Sequence, residues 1–229
     1  MADIIEKLIF VILALLPSFI WLVFYLHEDF KHPEPKRMIA WTFVMGMLVT
    51  TIVLFVQVQF NNWLPTQNLA IYSPLALFGL AAIEELFKFG ATYFAVARSK
   101  DFDEPLDAMI YMIVVALGFA AVENVASIFQ SLGGAGATGP IETTVLRFVG
   151  ATLLHTLASG LVGYYWGVAI LEKSNYFQRI FAGLMLATVL HTVFNYLILK
   201  YEAISVPIIF LVFTGFFLLH DFENLKEYD

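Results

Sequence analysis

Long apolar runs, separated by short polar segments, follow one another along almost the whole chain. A helix needs about 20 apolar residues to cross the hydrocarbon core of a bilayer. The 229 residues are 60% hydrophobic and 14% charged, whereas soluble domains are about 45–50% apolar and about 25% charged. The sequence therefore predicts an all-α fold, a polytopic membrane helix bundle of about seven transmembrane helices, in a single transmembrane domain over residues 1–229. The predicted spans cover residues 4–26, 38–60, 71–97, 106–129, 148–171, 180–199 and 203–220.

The charged residues limit the partners that the chain can have. The net charge is −7 and no basic run could follow a nucleic-acid backbone, so we expect no nucleic-acid partner. With no cysteine, the chain has no disulfide and no thiolate ligand or nucleophile. Alternate loops carry eight Lys and Arg residues on the side of the first loop and three on the other. Because cytoplasmic loops are enriched in these residues, the sequence predicts an N-terminus outside and a C-terminus in the cytoplasm.

The third predicted span carries three ionisable residues, Glu84, Glu85 and Lys88, near its middle. On insertion scales each such residue costs about 2.5–3.5 kcal/mol at the bilayer centre, so it needs a partner, a water-filled cavity or a function. Glu84 and Lys88 are four residues apart on one helix face, and we expect them to pair. Glu85 lies about 100° around the helix and is left for another partner, a metal or a bound water. A purely structural ion pair leaves that second carboxylate unexplained.

Three polar residues fall inside later spans: Glu123, His155 and His191. A single buried histidine is more often a satisfied core residue than a catalyst, but two on successive spans favour a shared site. Glu123 suits a role at that site and a structural hydrogen bond to a neighbouring helix equally well. Counted from the outer surface, Glu84 lies at mid-membrane and the other three lie about six to eight residues in. We therefore expect all four to meet in one cavity in the outer half of the membrane.

This combination of side chains suits the hydrolysis of an acyl bond. A glutamate beside a histidine can hold a water and take its proton, either with a bound zinc or with the carboxylate alone as general base. Arg147 precedes His155 by eight residues. Asn195 follows His191 by four residues and shares its face. Asn195, together with Lys88 or Arg147, could donate to the oxyanion that forms when water attacks a peptide carbonyl.

Several short motifs follow one another in order along the predicted spans. They read Glu84-Glu85-x-x-Lys88, Phe102-Asp103-Glu104-x-x-Asp107 and Leu117-Gly118-Phe119-Ala120-x-x-Glu123-Asn124, with His155 and His191-x-x-x-Asn195 beyond them. Each motif is weak alone, but the ordered set, over about residues 25–200, resembles the PrsW family of intramembrane metalloproteases. The last motif also resembles that of the type II CAAX prenyl endopeptidases, the wider superfamily. Ala108 and Met112 stand where glycines are expected from the family pattern.

The resemblance implies a role for individual residues. Glu84 is the expected base with His155 as its partner, and His191 with Asn195 is the expected pair that stabilises the oxyanion. The remaining expected site residues are Glu85, Lys88 and Glu123. The chain has neither His-Glu-x-x-His nor a thiolate, so zinc would have to be gathered from separate helices, and the expected ligands are Glu84, His155 and His191.

The resemblance also implies a substrate and a location. The expected reaction is site-one cleavage of a membrane-anchored regulator, such as an anti-sigma factor, on the extracytoplasmic side of the plasma membrane. The alternative within hydrolases is a CAAX-type peptidase that opens to the cytoplasm. More distant alternatives are an ion-coupled transporter, a haem b protein with two histidine ligands, and a scaffold that has lost its activity.

Overall fold

The computed structural model describes residues 2–28, 33–132, 139–173, 175–201 and 203–226. Those residues contain helices and no strand, so the all-α prediction is confirmed. A 3₁₀ turn, Leu64–Gln67, follows the second helix, and a π-helical segment, Phe148–Thr152, joins the fifth helix to the sixth. The helices are α1 (Ala2–Glu28), α2 (Lys36–Trp63), α3 (Pro74–Val96), α4 (Asp107–Ser131), α5 (Pro140–Arg147), α6 (Leu153–Glu172), α7 (Tyr176–Lys200) and α8 (Ser205–Lys226).

The seven predicted spans correspond to six strongly apolar segments and α3. The six segments are long and apolar enough to cross a membrane, and they make this a multi-pass membrane protein: α1, α2, α4, α7, α8 and the continuous segment from α5 to α6. Helix α3 has 23 residues, but three ionisable side chains near its middle set it apart from the others. It packs against α2, α4, α6 and α7, so neighbouring helices cover those side chains.

Successive helices run in opposite directions through the bundle. Ser99, just after α3, contacts Met38 at the start of α2, and Phe60 near the end of α2 lies over Gly79 near the start of α3. We call the end at which α1, α3 and α6 finish the first-loop side. The end at which α2, α4 and α7 finish is the second-loop side.

Helix α4 forms the centre of the bundle. Its residues from Asp107 to Ala121 are all buried, and α1, α2, α3 and α6 pack around it. Close approach depends on glycines: a Cβ at Gly118 would lie 2.0 Å from the carbonyl oxygen of Phe43, and one at Gly163 would lie 2.6 Å from that of Ala108. Small residues of this kind allow membrane helices to pack backbone against backbone. The result is a rigid central helix that carries residues of two sequence motifs.

The π-helical segment between α5 and α6 adjusts the direction of two side chains. Eight residues of regular α-helix turn roughly 80° beyond two full turns, which would point Arg147 and His155 in different directions. A π segment winds less per residue and reduces that offset. Trp21 of α1 holds the segment in place, because its ring stacks on Phe148 and its Nε1 donates to the Phe148 carbonyl at 3.0 Å. Arg147 and His155 consequently reach the same carboxylate on α4.

Candidate active site

Glutamates and histidines from four helices, α3, α4, α6 and α7, form a single buried cluster in the second-loop half of the bundle. Glu84, Glu85, His155 and His191 each offer one oxygen or nitrogen, and these atoms all lie within 4.8 Å of one another. All four residues are buried, and Glu85 is completely so. Glu123 on α4 joins the cluster through His155. The structure therefore brings together the five acidic and histidine residues that the sequence predicts for the site.

His155 is held at both of its ring nitrogens. Its Nδ1 lies 2.8 Å from Lys88 Nζ, and its Nε2 lies 2.9 Å from Glu123 Oε2. An ammonium group can only donate, so Nδ1 accepts, and Nε2 carries the hydrogen that it donates to Glu123. A carboxylate thus fixes the tautomer of His155 and leaves the lone pair of Nδ1 directed into the cluster.

His191 has a corresponding arrangement with the opposite ring nitrogen. Its Nδ1 donates to Glu85 Oε1 at 2.9 Å, so in the neutral imidazole the lone pair lies on Nε2. Glu85 Oε1 also accepts from Lys88 at 2.9 Å, and Glu85 Oε2 accepts from Ser159 at 3.3 Å. Both carboxylate oxygens of Glu85 are therefore in use, and their effect is to orient His191 and Lys88.

The expected ion pair of Glu84 with Lys88 is present, and Lys88 makes a second, closer pair with Glu85. Lys88 Nζ lies 2.9 Å from Glu85 and 3.5 Å from Glu84. His155 and the ring of Phe119, whose centroid is 4.6 Å from Nζ, draw the ammonium group toward α4 and α6. Lys88 shares a helix face with Glu84, but its contacts with His155 and Phe119 hold the ammonium group closer to Glu85. Glu85, which is expected from the sequence to be left for another partner, is therefore fully hydrogen-bonded, and Glu84 Oε2 is the carboxylate oxygen without a hydrogen bond.

Glu84 keeps one oxygen free inside the cluster. Its Oε1 accepts from Gln57 Nε2 at 2.9 Å, whereas its Oε2 is buried without a hydrogen-bond partner. That free oxygen lies 3.8 Å from His155 Nδ1 and 3.8 Å from His191 Nε2. The two imidazole lone pairs and the carboxylate oxygen thus face one small space.

Arg147 supports the carboxylate that orients His155. Its guanidinium donates to Glu123 at 3.1 Å, to Ser127 at 2.9 Å and to Asn124. Asn124 in turn donates to Thr152 of the π segment at 3.2 Å. With its donors taken up in this way, Arg147 positions Glu123, and the geometry does not favour its use as an oxyanion donor.

Two further motif residues make no hydrogen bond to the cluster: Asn195 lies near it and Asp107 lies far from it. Asn195 is half-buried one turn beyond His191 toward the second-loop side, and its side chain makes no hydrogen bond to any described residue. Asp107 lies at the opposite end of α4, where its Oδ2 accepts from the backbone N–H groups of Asp103 and Glu104 at 2.8 and 2.9 Å. Asp107 therefore holds the loop that precedes α4, and the second motif takes no part in this cluster.

Gln57 is a residue of the site that the sequence gives no means of finding. It lies in an apolar stretch of α2 with a second glutamine, Gln59, two residues further on, and neither belongs to a motif. Only the packing of α2 against α3 shows that Gln57 reaches Glu84 and that Gln59 is exposed. No spacing rule relates residues on two helices before their relative register is known.

The donor atoms of the cluster fit a zinc ion. Two imidazoles and one carboxylate are a common ligand set for catalytic zinc, and Glu84 Oε2, His155 Nδ1 and His191 Nε2 supply it. Each histidine is oriented by a carboxylate on its other nitrogen, as zinc-binding histidines commonly are. The fit requires Lys88 to give up its contact with His155 Nδ1.

Comparison with known proteins identifies the class and then the family. Residues 34–220 match the PrsW family of intramembrane metalloproteases. The chain is 30% identical to Protease PrsW of Geobacillus kaustophilus over 183 residues, which cover 78% of this chain and 74% of that protein. It is 26% identical to Protease PrsW of Oceanobacillus iheyensis, covering 86% and 85%, and 27% identical to that of Clostridioides difficile, covering 84% and 80%. No solved structure gives a significant match.

A helical membrane bundle with this family match is an intramembrane protease. The chain belongs to the PrsW family. The resemblance seen in the ordered motifs is thereby confirmed, and the transporter and haem b alternatives are set aside.

Proposed function

We propose that this protein hydrolyses a peptide bond of a membrane-anchored regulatory protein with a water molecule that Glu84 activates. The observation that carries the proposal is the buried Glu84 Oε2, which has no hydrogen bond, lies 3.5 Å from Lys88 Nζ and faces His155 Nδ1 and His191 Nε2 at 3.8 Å each. A buried carboxylate oxygen without a hydrogen bond needs an explanation, such as a water, an ion or a reacting group. Glu84 Oε2 and one of the two imidazole nitrogens can accept the two hydrogens of a water molecule, which leaves the lone pairs of the water oxygen free.

The residues of the cluster can carry out each step of peptide-bond hydrolysis. Glu84 Oε2 takes a proton from water as the water oxygen bonds to the scissile carbonyl carbon, and the carbonyl oxygen becomes an oxyanion. Once Lys88 turns from His155 Nδ1 toward the oxyanion, Nδ1 accepts the second hydrogen of that water and keeps it oriented. When the intermediate collapses, the C–N bond breaks and the proton held by Glu84 passes to the leaving nitrogen. The products are a new carboxyl terminus and a new amino terminus.

The oxyanion requires donors, and the tautomers decide which residues can donate. His191 gives its Nδ1 hydrogen to Glu85, so neutral His191 offers a lone pair and no hydrogen at Nε2. Asn195, whose amide has no partner among the described residues, and Lys88, 3.5 Å from Glu84, are the better donors. We therefore assign the oxyanion to Asn195 and Lys88, with His191 as an acceptor beside the water.

Metal dependence is an alternative form of the proposal, because Glu84 Oε2 cannot ligate a metal and take the proton from water at the same time. A zinc ion held by Glu84, His155 and His191 would act as a Lewis acid toward water and the substrate carbonyl. With neutral histidines, the carboxylates of Glu84, Glu85 and Glu123 outnumber the cations of Lys88 and Arg147 by one, which favours a bound cation. Metal analysis of the purified protein, with cleavage assayed before and after chelation, tests this. Stoichiometric zinc whose removal stops cleavage supports it, and full activity without metal contradicts it.

We propose an extracytoplasmic opening in the plasma membrane, with an anti-sigma-factor-like protein as substrate. The most exposed members of the cluster are Glu123 and Arg147, with 23% and 18% of their side-chain surface exposed, and both lie toward the second-loop side. That side has fewer Lys and Arg residues in its loops, which favours an outward position. The CAAX-type alternative requires the opposite opening.

Labelling of single cysteines in this cysteine-free chain distinguishes the two openings. Ser127→Cys reports on the entrance beside Arg147, while Gln67→Cys and Lys100→Cys mark the second-loop and first-loop sides. An impermeant maleimide added outside intact cells should label Ser127→Cys and Gln67→Cys and spare Lys100→Cys. Labelling of Lys100→Cys alone would reverse the orientation and favour the CAAX-type reading.

Replacement of Glu84 tests the reaction itself. Glu84→Gln keeps the shape of the side chain and an oxygen for Gln57 but removes the base. Cleavage of a tagged, single-span anti-sigma factor in liposomes should fall by about 10²–10⁴-fold, the usual contribution of a general base. The variant should keep the wild-type melting temperature in detergent. Wild-type cleavage by Glu84→Gln would refute the proposed function.

A further inference from the structure

Gln57 is the one described residue of α2 that hydrogen-bonds to the catalytic cluster. Its Nε2 donates to Glu84 Oε1 at 2.9 Å across the α2–α3 interface. The rest of that interface is largely apolar, with Val49, Val53, Ile83, Phe87 and Ala91 among its members. A single amide directed at a catalytic carboxylate from such a surface calls for a functional explanation.

The contact determines which oxygen of Glu84 faces the histidines. The last torsion of a glutamate is broad and nearly two-fold, so by itself it does not fix how the carboxylate is turned. One hydrogen bond to Oε1 holds that oxygen toward α2 and directs Oε2 toward His155 and His191. We propose that Gln57 is a positioning residue of the active site, which fixes the rotation of the Glu84 carboxylate. This inference rests on the proposed role of Glu84 as base.

The choice of an amide for this position has a chemical reason. An amide donates a hydrogen bond without adding a charge, so Glu84 remains a competent base. A lysine or arginine at residue 57 would attract the carboxylate charge more strongly and make it a weaker base. A leucine would leave Oε1 without a hydrogen bond, and only the 3.5 Å ion pair of Oε2 with Lys88 would then restrict the rotation of the carboxylate.

Two substitutions of Gln57 and two matched controls test this role. Gln57→Leu removes the donor, and Gln57→Glu keeps the shape but replaces the donor with a second carboxylate. Both should lower kcat by about 10–100-fold, the usual cost of losing an orienting contact, with KM within twofold of wild type. Gln59→Leu and Gln59→Glu change an exposed side chain on the same helix and should keep wild-type kcat. Kinetics use the full chain in liposomes with the tagged anti-sigma factor.

The outcomes separate this inference from the proposed function. If Glu84→Gln is inactive while Gln57→Leu keeps wild-type kcat, positioning by Gln57 is overturned and the role of Glu84 stands. If Glu84→Gln cleaves normally, the proposed function itself fails. An increase in KM at unchanged kcat would make Gln57 a substrate contact. Wild-type kcat in Gln57→Glu alone would show that only the shape of the side chain matters.

Discussion

Helix α4 carries polar clusters at its two ends, roughly 24 Å apart at 1.5 Å per residue. At the first-loop end, Tyr111 donates to Glu34 and to the Asp101 carbonyl, and Asp107 accepts from two backbone N–H groups. At the other end, Glu123 accepts from His155 and from Arg147. Both clusters arise from the ordered motifs, yet their hydrogen bonding differs.

The difference lies in whether the hydrogen-bonding capacity is used up internally. In the first-loop cluster, Asp107 accepts hydrogen bonds from the loop backbone and Tyr111 donates one to Glu34. These hydrogen bonds hold the ends of α2, α3 and α4 together. In the buried glutamate–histidine cluster, Glu84 Oε2 has no hydrogen bond. A motif residue with satisfied groups stabilises the fold, while one with a buried free acceptor is available for chemistry.

The largest differences in activity and stability should come from replacing one residue in each cluster with alanine. His155→Ala removes the partner of the water and should lower kcat per folded molecule by on the order of 10³-fold, and it also leaves Lys88 and Glu123 with one hydrogen bond fewer. Asp107→Ala leaves two backbone N–H groups unpaired and should cost about 1–3 kcal/mol of unfolding free energy. Folded Asp107→Ala molecules should cleave normally. Unfolding in denaturant and cleavage per folded molecule measure the two effects, and a loss of kcat in folded Asp107→Ala would break the comparison.

Asn195→Ala should give the next largest effect. If its amide binds the oxyanion, kcat should fall by about 10²–10³-fold. Asn195→Asp is the matched variant, because it keeps the size and the oxygen but loses the donor. It should be as impaired as Asn195→Ala in single-turnover cleavage. Normal kcat in both variants would remove Asn195 from the site and leave Lys88 as the oxyanion donor.

Glu123→Gln should reduce kcat by about 10–100-fold. The substitution removes the negative charge that orients His155 and pairs with Arg147, but it leaves the base in place. Glu142→Gln, at an exposed carboxylate on α5, is the control and should behave as wild type. Initial rates at saturating reporter concentration measure the effect, and equal rates for the two variants would place Glu123 among the structural residues.

The smallest effect should come from Tyr111→Phe. Loss of the hydroxyl removes the donor to Glu34 and should cost about 0.5–1.5 kcal/mol of stability. Cleavage per folded molecule should not change, because Tyr111 lies at the first-loop end. Thermal unfolding followed by circular dichroism, alongside the reporter assay, tests this. A defect in kcat without a loss of stability would link the two ends of α4 functionally.

The sequence predicts the helices well and the contacts between them only in part. Apolar runs place spans 38–60 and 106–129 close to α2 and α4, because length and composition decide membrane insertion. The apolar runs do not predict α5, because Pro140–Arg147 is too polar to be recognised as part of a span and joins α6 only through the π segment. Depth counting brings the glutamates and histidines together. It cannot decide that Lys88 prefers Glu85, or that Gln57 reaches Glu84, because these depend on the register of packed helices.

The composition of α3 has a consequence for biosynthesis. During translation α3 reaches the membrane before α4, α6 and α7 have been made, and its Glu84, Glu85 and Lys88 would together cost on the order of 8–10 kcal/mol in lipid without those helices. The later helices supply the partners that remove this penalty. The contacts that complete the topology are therefore the same ones that build the buried glutamate–histidine cluster. We expect substitutions such as Lys88→Ala to lower the cellular abundance of the protein together with its activity, as cells degrade chains whose third helix has failed to insert.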